Sequence, residues 1–126
     1  MSVLVGKKAP LFQSQAVLAN GEIVDDFYLG QAISGKYAAL FFYPLDFTFV
    51  CPSEIIAFAN RTAALKALNC EVVAVSTDSH HTHFAWRNTP VEQGGIGPVP
   101  FPLVSDMTRD ISSAYGILAD DSDSFY

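Results

Sequence analysis

The residues with the clearest chemical potential lie in one stretch, 41–58, which reads FFYPLDFTFVCPSEIIAF. It sets Cys51 directly before Pro52, with Thr48 and Pro44 upstream and Glu54 downstream. An apolar run, 38–43, stops at Pro44, and helical spacing begins after Cys51, so the thiol falls at a strand-to-helix turn. The N–H groups of a helix's first turn have no acceptor within the helix and carry partial positive charge. A cysteine held there is biased toward thiolate, the form that attacks. Pro44 lacks an N–H and stiffens the loop, while the Thr48 hydroxyl can both donate and accept. Thr48 could therefore touch the sulfur and an oxygen of a small substrate together.

Two registers fit this spacing. With Cys51 as N-cap, Pro52 is the first helical residue and Glu54 the third, where its carboxylate can close a capping box. With Thr48 as N-cap, Cys51 lies inside the first turn with more N–H groups at the sulfur. Pro52 then removes one helical hydrogen bond and leaves that turn easy to unwind. The second register suits the chemistry better, and the spacing leaves both open. Glu54 accordingly reads either as a cap or as a supporting residue that orients the site.

The elements that must position these groups are legible in the periodicity. Segments 37–43 and 71–76 are short, nearly continuous apolar runs, the pattern of central strands covered on both faces. Between them 53–68 carries an apolar stripe of Ile55, Ile56, Phe58, Ala59, Thr62, Ala63, Leu65 and Leu68, with Asn69 as its C-cap. That is a β-α-β crossover with parallel strands. Upstream, 11–18 and 22–29 alternate around Asn20-Gly21, a hairpin signal because both residues tolerate the positive φ of a tight turn. A loop is expected over 30–36. Downstream, 80–88 reads as a helix, 91–100 as a glycine- and proline-rich loop, and 101–104 as a short strand whose prolines argue against a central position. Ser105 or Asp106 then caps a helix through Tyr115, stopped by Gly116. The fold class is α/β, with residues 1–126 forming a single domain.

Composition narrows the function. The chain of 126 residues carries a net charge of −6 and is 50% hydrophobic but only 16% charged. Its isoelectric point of about 4.7 argues against electrostatic binding to nucleic acid or anionic membrane. No apolar run is long enough for a membrane span, and the start lacks a signal-peptide pattern, which suggests a cytoplasmic protein. A helix between Cys51 and Cys70 would hold them roughly 25 Å apart, beyond the ~7 Å limit for bridged Cα atoms. They are therefore not expected to pair, with Cys51 reactive and Cys70 a buried thiol at a helix-strand junction. His80, His81 and His83 invite a metal, but the set lacks convincing further ligands, so no metal is expected.

The pattern Pro44-x-x-x-Thr48-x-x-Cys51 resembles the active-site signature of the peroxiredoxins, specifically the typical two-cysteine subgroup. The resemblance continues through VSTDSH at 75–80, WRNTP at 86–90, GGIG at 94–97 and YGIL at 115–118, and it covers nearly the whole chain. It implies a thioredoxin-like fold with an N-terminal β-hairpin, truncated after its first two-thirds. Further strands, a final helix, an active-site arginine and a resolving cysteine would then follow Tyr126. It also implies a peroxidase for hydrogen peroxide and small organic hydroperoxides. Cys51 would be the nucleophile, Thr48 and Pro44 would shape its pocket, and Glu54 would support it. The partners implied are a thioredoxin-like reductant and further copies in a homodimer or larger homo-oligomer; no cofactor is implied. A second reading is a weakly active form serving as redox sensor or chaperone-like oligomer. His81 stands where the family usually has an aromatic residue, in a region of contacts between dimers.

Overall fold

The computed structural model describes residues 4–43 and 51–117, and of Cys51 and Pro52 only the backbone. In chain order the elements are β1 (Gln13–Val17), β2 (Ile23–Tyr28), α1 (Leu29–Ala32), β3 (Tyr37–Phe42), α2 (Cys51–Ala67), β4 (Cys70–Ser76), α3 (His80–Arg87), β5 (Leu103–Ser105) and α4 (Asp110–Ala114), with a 3-10 turn at Val91–Gln93. They form a five-stranded sheet in the order β2-β1-β5-β4-β3. Strands β3, β4 and β5 run parallel, while β1 is antiparallel to both β2 and β5.

The apolar run of β4 has a simple cause. Successive strand residues face opposite sides of a sheet, and here both sides are covered. Val72 and Ala74 join Tyr43, Ile55, Trp86 and Leu103 on the side of α2 and α3. Val73 and Val75 join Leu29, Val104 and Ile111 on the side of α1 and α4. A strand buried on both faces has no use for alternation. β3 carries the same kind of run but is the outermost strand among the described residues, not a central one, and Tyr37 and Ala38 are exposed.

β5 also departs from expectation, for it lies at the centre of the sheet between β1 and β4. Its prolines do not interfere because Pro100 and Pro102 precede the three paired residues. The Pro102 carbonyl still accepts from the Ala74 N–H at 3.1 Å. A proline carbonyl bonds normally; only its donor is missing.

The hairpin forms where expected, but its turn is not the two-residue kind. Leu18 N–H donates to the Glu22 carbonyl and Gly21 N–H to the Leu18 carbonyl. Gly21 alone takes positive φ, at 89°, while the Asn20 side chain accepts from the Glu22 N–H at 2.9 Å. This is a three-residue loop closed by a left-handed glycine. The segment 30–36 is not wholly loop, since α1 occupies its beginning.

Helix α2 ends on Asn69, which takes φ 59° and donates from its amide to the Gly35 carbonyl at 3.0 Å. Asparagine tolerates this left-handed stop. Within the expected stripe Ile55 and Thr62 are buried, but Ala63 and Leu68 are exposed. Helix α4 is shorter than the sequence suggests. Asp106 caps it across an intervening loop, accepting from the N–H groups of Ile111 at 3.0 Å and Ser112 at 2.7 Å. Gly116 ends it at φ 69°, with Gly116 and Ile117 N–H groups returning to the carbonyls of Ser113 and Ser112.

Candidate active site

Residue Cys51 has helical backbone and opens the described α2. It is therefore not the residue preceding the helix, which excludes the register with Cys51 as N-cap; the alternative with Thr48 as N-cap lies outside the described residues. Pro52 is the second residue of the described helix. Glu54 lies exposed in the first turn, where a carboxylate is favoured by the helix's positive end. Pro44 and Thr48 lie outside the described residues, so their relation to the sulfur is not part of this geometry.

The two ends of the segment leading to Cys51 are anchored in one cluster. Tyr43 closes β3 and is 1% exposed, and Ile55, one turn after Cys51, is fully buried. Tyr43 N–H donates to the Val75 carbonyl at 3.0 Å, and its ring lies 5.7 Å from that of Trp86. Its hydroxyl sits 3.4 Å from Nδ1 of His83, whose Nε2 is 3.0 Å from the Val104 carbonyl. A carbonyl can only accept, so Nε2 carries the proton and Nδ1 accepts from the tyrosine. His83 thus joins α3 to β5 and to the residue just before Pro44.

Two of the sequence motifs meet beneath this cluster. Trp86 is fully buried and donates from Nε1 to the Gly94 carbonyl at 3.0 Å. Gly95 and Gly97 N–H groups return to the carbonyls of Pro90 and Thr89. A Cβ on Gly95 would come 1.9 Å from the Thr89 oxygen, so this loop demands glycine for space. The GGIG segment therefore locks the end of α3 and the tryptophan.

The other candidates separate from the site. Cys70 begins β4 at the far end of α2 and is half-buried, not buried as expected, with Sγ 3.8 Å from the Glu71 carbonyl. A helix of 17 residues spans roughly 25 Å, too far for a bridge to Cys51. Arg87 is buried against the hairpin, donating to the Ala19 carbonyl, and burial lowers its pKa. Arg61 sits exposed on α2, about 15 Å along the helix from Cys51. Arg109 donates to the Met107 carbonyl at 3.3 Å. The rings of His80 and His81 lie with centres 4.0 Å apart and planes tilted by 39°, whereas His83 turns into the core. Burial, then the neighbouring His81 charge, lowers the His80 pKa. Among the described residues no group of three metal-ligating side chains converges.

The Tyr43–His83 pair was not anticipated from sequence. The available signal was the spacing of His83 to Trp86 and Arg87, three and four residues apart on one helix face, which is the buried face of α3.

The AhpC/TSA family pattern matches residues 5–125. The chain belongs to that family. It is 54% identical over 120 residues to peroxiredoxin-2 of Bos taurus, covering 93% of this chain and 57% of the relative. It is 49% identical over 120 residues to alkyl hydroperoxide reductase C of Helicobacter pylori, covering 95% of this chain and 61% of that one. The chain thus spans less than two-thirds of the length of these curated relatives. The crystal structure of the reduced 2-Cys peroxiredoxin of Plasmodium vivax superposes with a TM-score of 0.89 at 48% identity, covering 95% of this chain and 73% of that one. The five-stranded sheet and its flanking helices are the thioredoxin-like fold of the peroxiredoxins, and the resemblance stated from the signature around Cys51 holds.

Proposed function

We propose that this AhpC/TSA family member is a thiol-dependent peroxidase acting on hydrogen peroxide and small organic hydroperoxides. The observation that supports the reading is the helical backbone at Cys51, the first described residue of α2, because backbone N–H groups at a helix start lack intrahelical partners. These favour thiolate. The thiolate attacks the terminal peroxide oxygen. A sulfur–oxygen bond forms as the O–O bond breaks, two electrons leave sulfur, and the departing oxygen takes a proton to give water or an alcohol. Cys51 is left as a sulfenic acid. In this reading Thr48 hydrogen-bonds sulfur and peroxide together, Pro44 shapes the pocket, and Glu54 supports the helix start.

A second thiol and a thioredoxin-like reductant would return the sulfenic acid to thiol through a disulfide. The names of the relatives favour this reading over a redox sensor or chaperone-like oligomer. A homodimer or larger homo-oligomer accompanies it, as does a cytoplasmic location, where cysteines stay reduced. No helix among the described residues is long and apolar enough to cross a membrane. The test is intact mass before and after one equivalent of hydrogen peroxide, followed over seconds, with the modified residue located by fragmentation. Rapid gain of one oxygen at Cys51 is the expected result. An unmodified Cys51 in the folded chain refutes the proposal.

A further inference from the structure

The turn between β1 and β2 holds a pair of residues that can react with each other. Asn20 precedes Gly21, whereas Asn60, Asn69 and Asn88 precede Arg61, Cys70 and Thr89. A backbone nitrogen reaches the side-chain carbon of a preceding asparagine most easily when its own residue carries no Cβ. The reaction closes a five-membered succinimide ring. A bond forms between the Gly21 nitrogen and Asn20 Cγ, the bond from Cγ to the side-chain nitrogen breaks, and that nitrogen leaves as ammonia with the Gly21 amide proton. Water then opens the ring at either carbonyl, giving aspartate or isoaspartate with no change of oxidation state.

Two hydrogen bonds in the turn act on this reaction in opposite senses. Asn20 Oδ1 accepts from the Glu22 N–H at 2.9 Å. Negative charge grows on that oxygen as Cγ is attacked, and its donor is already in place. The nucleophile is withheld, because the Gly21 N–H donates to the Leu18 carbonyl at 2.9 Å and a bonded amide gives up its proton slowly. Opening the turn breaks the bond to Leu18 but not the local one to Glu22. Arg87 holds the turn closed from α3. It is buried, it donates to the Ala19 carbonyl, and a Cβ placed on Gly21 would lie 3.0 Å from its Nη1. We propose that Asn20-Gly21 is a self-modification site, converted to aspartate or isoaspartate whenever the hairpin turn opens, with Arg87 as the latch. The products differ in effect. Aspartate keeps an oxygen for the Glu22 N–H, whereas isoaspartate adds a main-chain atom inside the loop that the Leu18–Glu22 bond closes at 2.8 Å.

The test is peptide-resolved mass spectrometry of the 126-residue chain incubated in mildly alkaline buffer, folded and in guanidinium chloride, with isoaspartyl and aspartyl peptides separated. Three hydrogen bonds of ordinary strength hold the turn, so conversion at Asn20 should run about 10- to 100-fold slower in the folded chain. Arg87→Met removes the latch and keeps most of its bulk; it should speed conversion of the folded chain about tenfold and leave the unfolded rate unchanged. Amide exchange at Gly21 takes the same proton from the same nitrogen, so its protection in the original chain should match the slowing within about threefold, a comparison that needs no variant. Equal rates in the two states overturn the proposal, as does a folded Arg87→Met chain that converts no faster than the original. A mismatch between exchange and conversion overturns it too. So does a folded chain still unconverted at Asn20 after about a thousand times the unfolded half-life.

Discussion

Replacing Asp106 by alanine should cost about 3 kcal/mol of folding stability, and the geometry explains the size. The carboxylate is 2% exposed and accepts three hydrogen bonds: from Ile111 N–H at 3.0 Å, Ser112 N–H at 2.7 Å and Ser112 Oγ at 2.6 Å. Ser112 is fully buried, so alanine leaves two donors of one residue with no acceptor and little access to water. A buried donor without a partner costs about 1–3 kcal/mol, and loss of a helix cap about 1 kcal/mol. Relief from burying a charge offsets part of the sum, giving a net loss of about 3 kcal/mol. Asp106→Asn keeps one carbonyl oxygen and should lose roughly half as much. Urea titrations at constant m, with amide exchange at Ile111 and Ser112, provide the check. A loss below about 1 kcal/mol for alanine, or equal losses for both variants, would refute the reasoning that unsatisfied donors set the cost.

Other outcomes follow from the same structure. Trp86→Phe removes the Nε1 donor to the Gly94 carbonyl and part of a fully buried ring, and should cost about 2 kcal/mol in a chemical denaturation curve. Burial raises the Tyr115 pKa above 10.0 while its hydroxyl donates to the Pro10 carbonyl at 2.5 Å. Its contribution should be whole below pH 10 and fall as pH rises through the folded value, a dependence that Tyr115→Phe should abolish in melting curves. His80 has the opposite consequence, because its folded pKa lies below 6.5. Its contribution should be whole above pH 6.5 and fall as pH drops through the folded value, and His80→Gln should flatten that limb. Under the peroxidase proposal, Thr48→Val should leave the melting temperature nearly unchanged and slow oxidation of Cys51 by about 100-fold in stopped-flow measurements, as loss of one transition-state donor does.

Where covalent pattern and local periodicity decide structure, the sequence was sufficient. The run from Val72 to Val75 announces burial on both faces, and Gly116 announces a helix end, because each depends on neighbours in the chain. Strand order is different. β3 and β4 carry similar apolar runs, yet among the described residues β4 has strands on both sides and β3 on one, and no local feature ranks them. The central place of β5 was misread because Pro100 and Pro102 were counted against the strand, although they stop one residue short of its paired part. Asp106 was one of two caps the sequence offered, beside Ser105, and its reach to Ile111 and Ser112 depends on a loop that carries Arg109 at φ 65°, unusual for a side-chain-bearing residue.

The site divides along the same line. The spacing of Pro44, Thr48 and Cys51 carries the resemblance to the family signature, and helical backbone at Cys51 excludes the register in which it is the N-cap. What sequence alone did not reveal is how the ends of that segment are held. Strand parity supplies part of the answer. Phe41 and Tyr43 face the α2 side, while Leu40 and Phe42 face the other, so the last core residue before Pro44 is the one with a hydroxyl. That hydroxyl needs a partner inside the core, and Nδ1 of His83 lies 3.4 Å from it while the other ring nitrogen donates to the Val104 carbonyl. The buried histidine and the tyrosine before the proline are therefore one device. Together with Ile55 they fix where the chain leaves β3 and where it settles into α2, so the position of the helix start bearing Cys51 is set by the core.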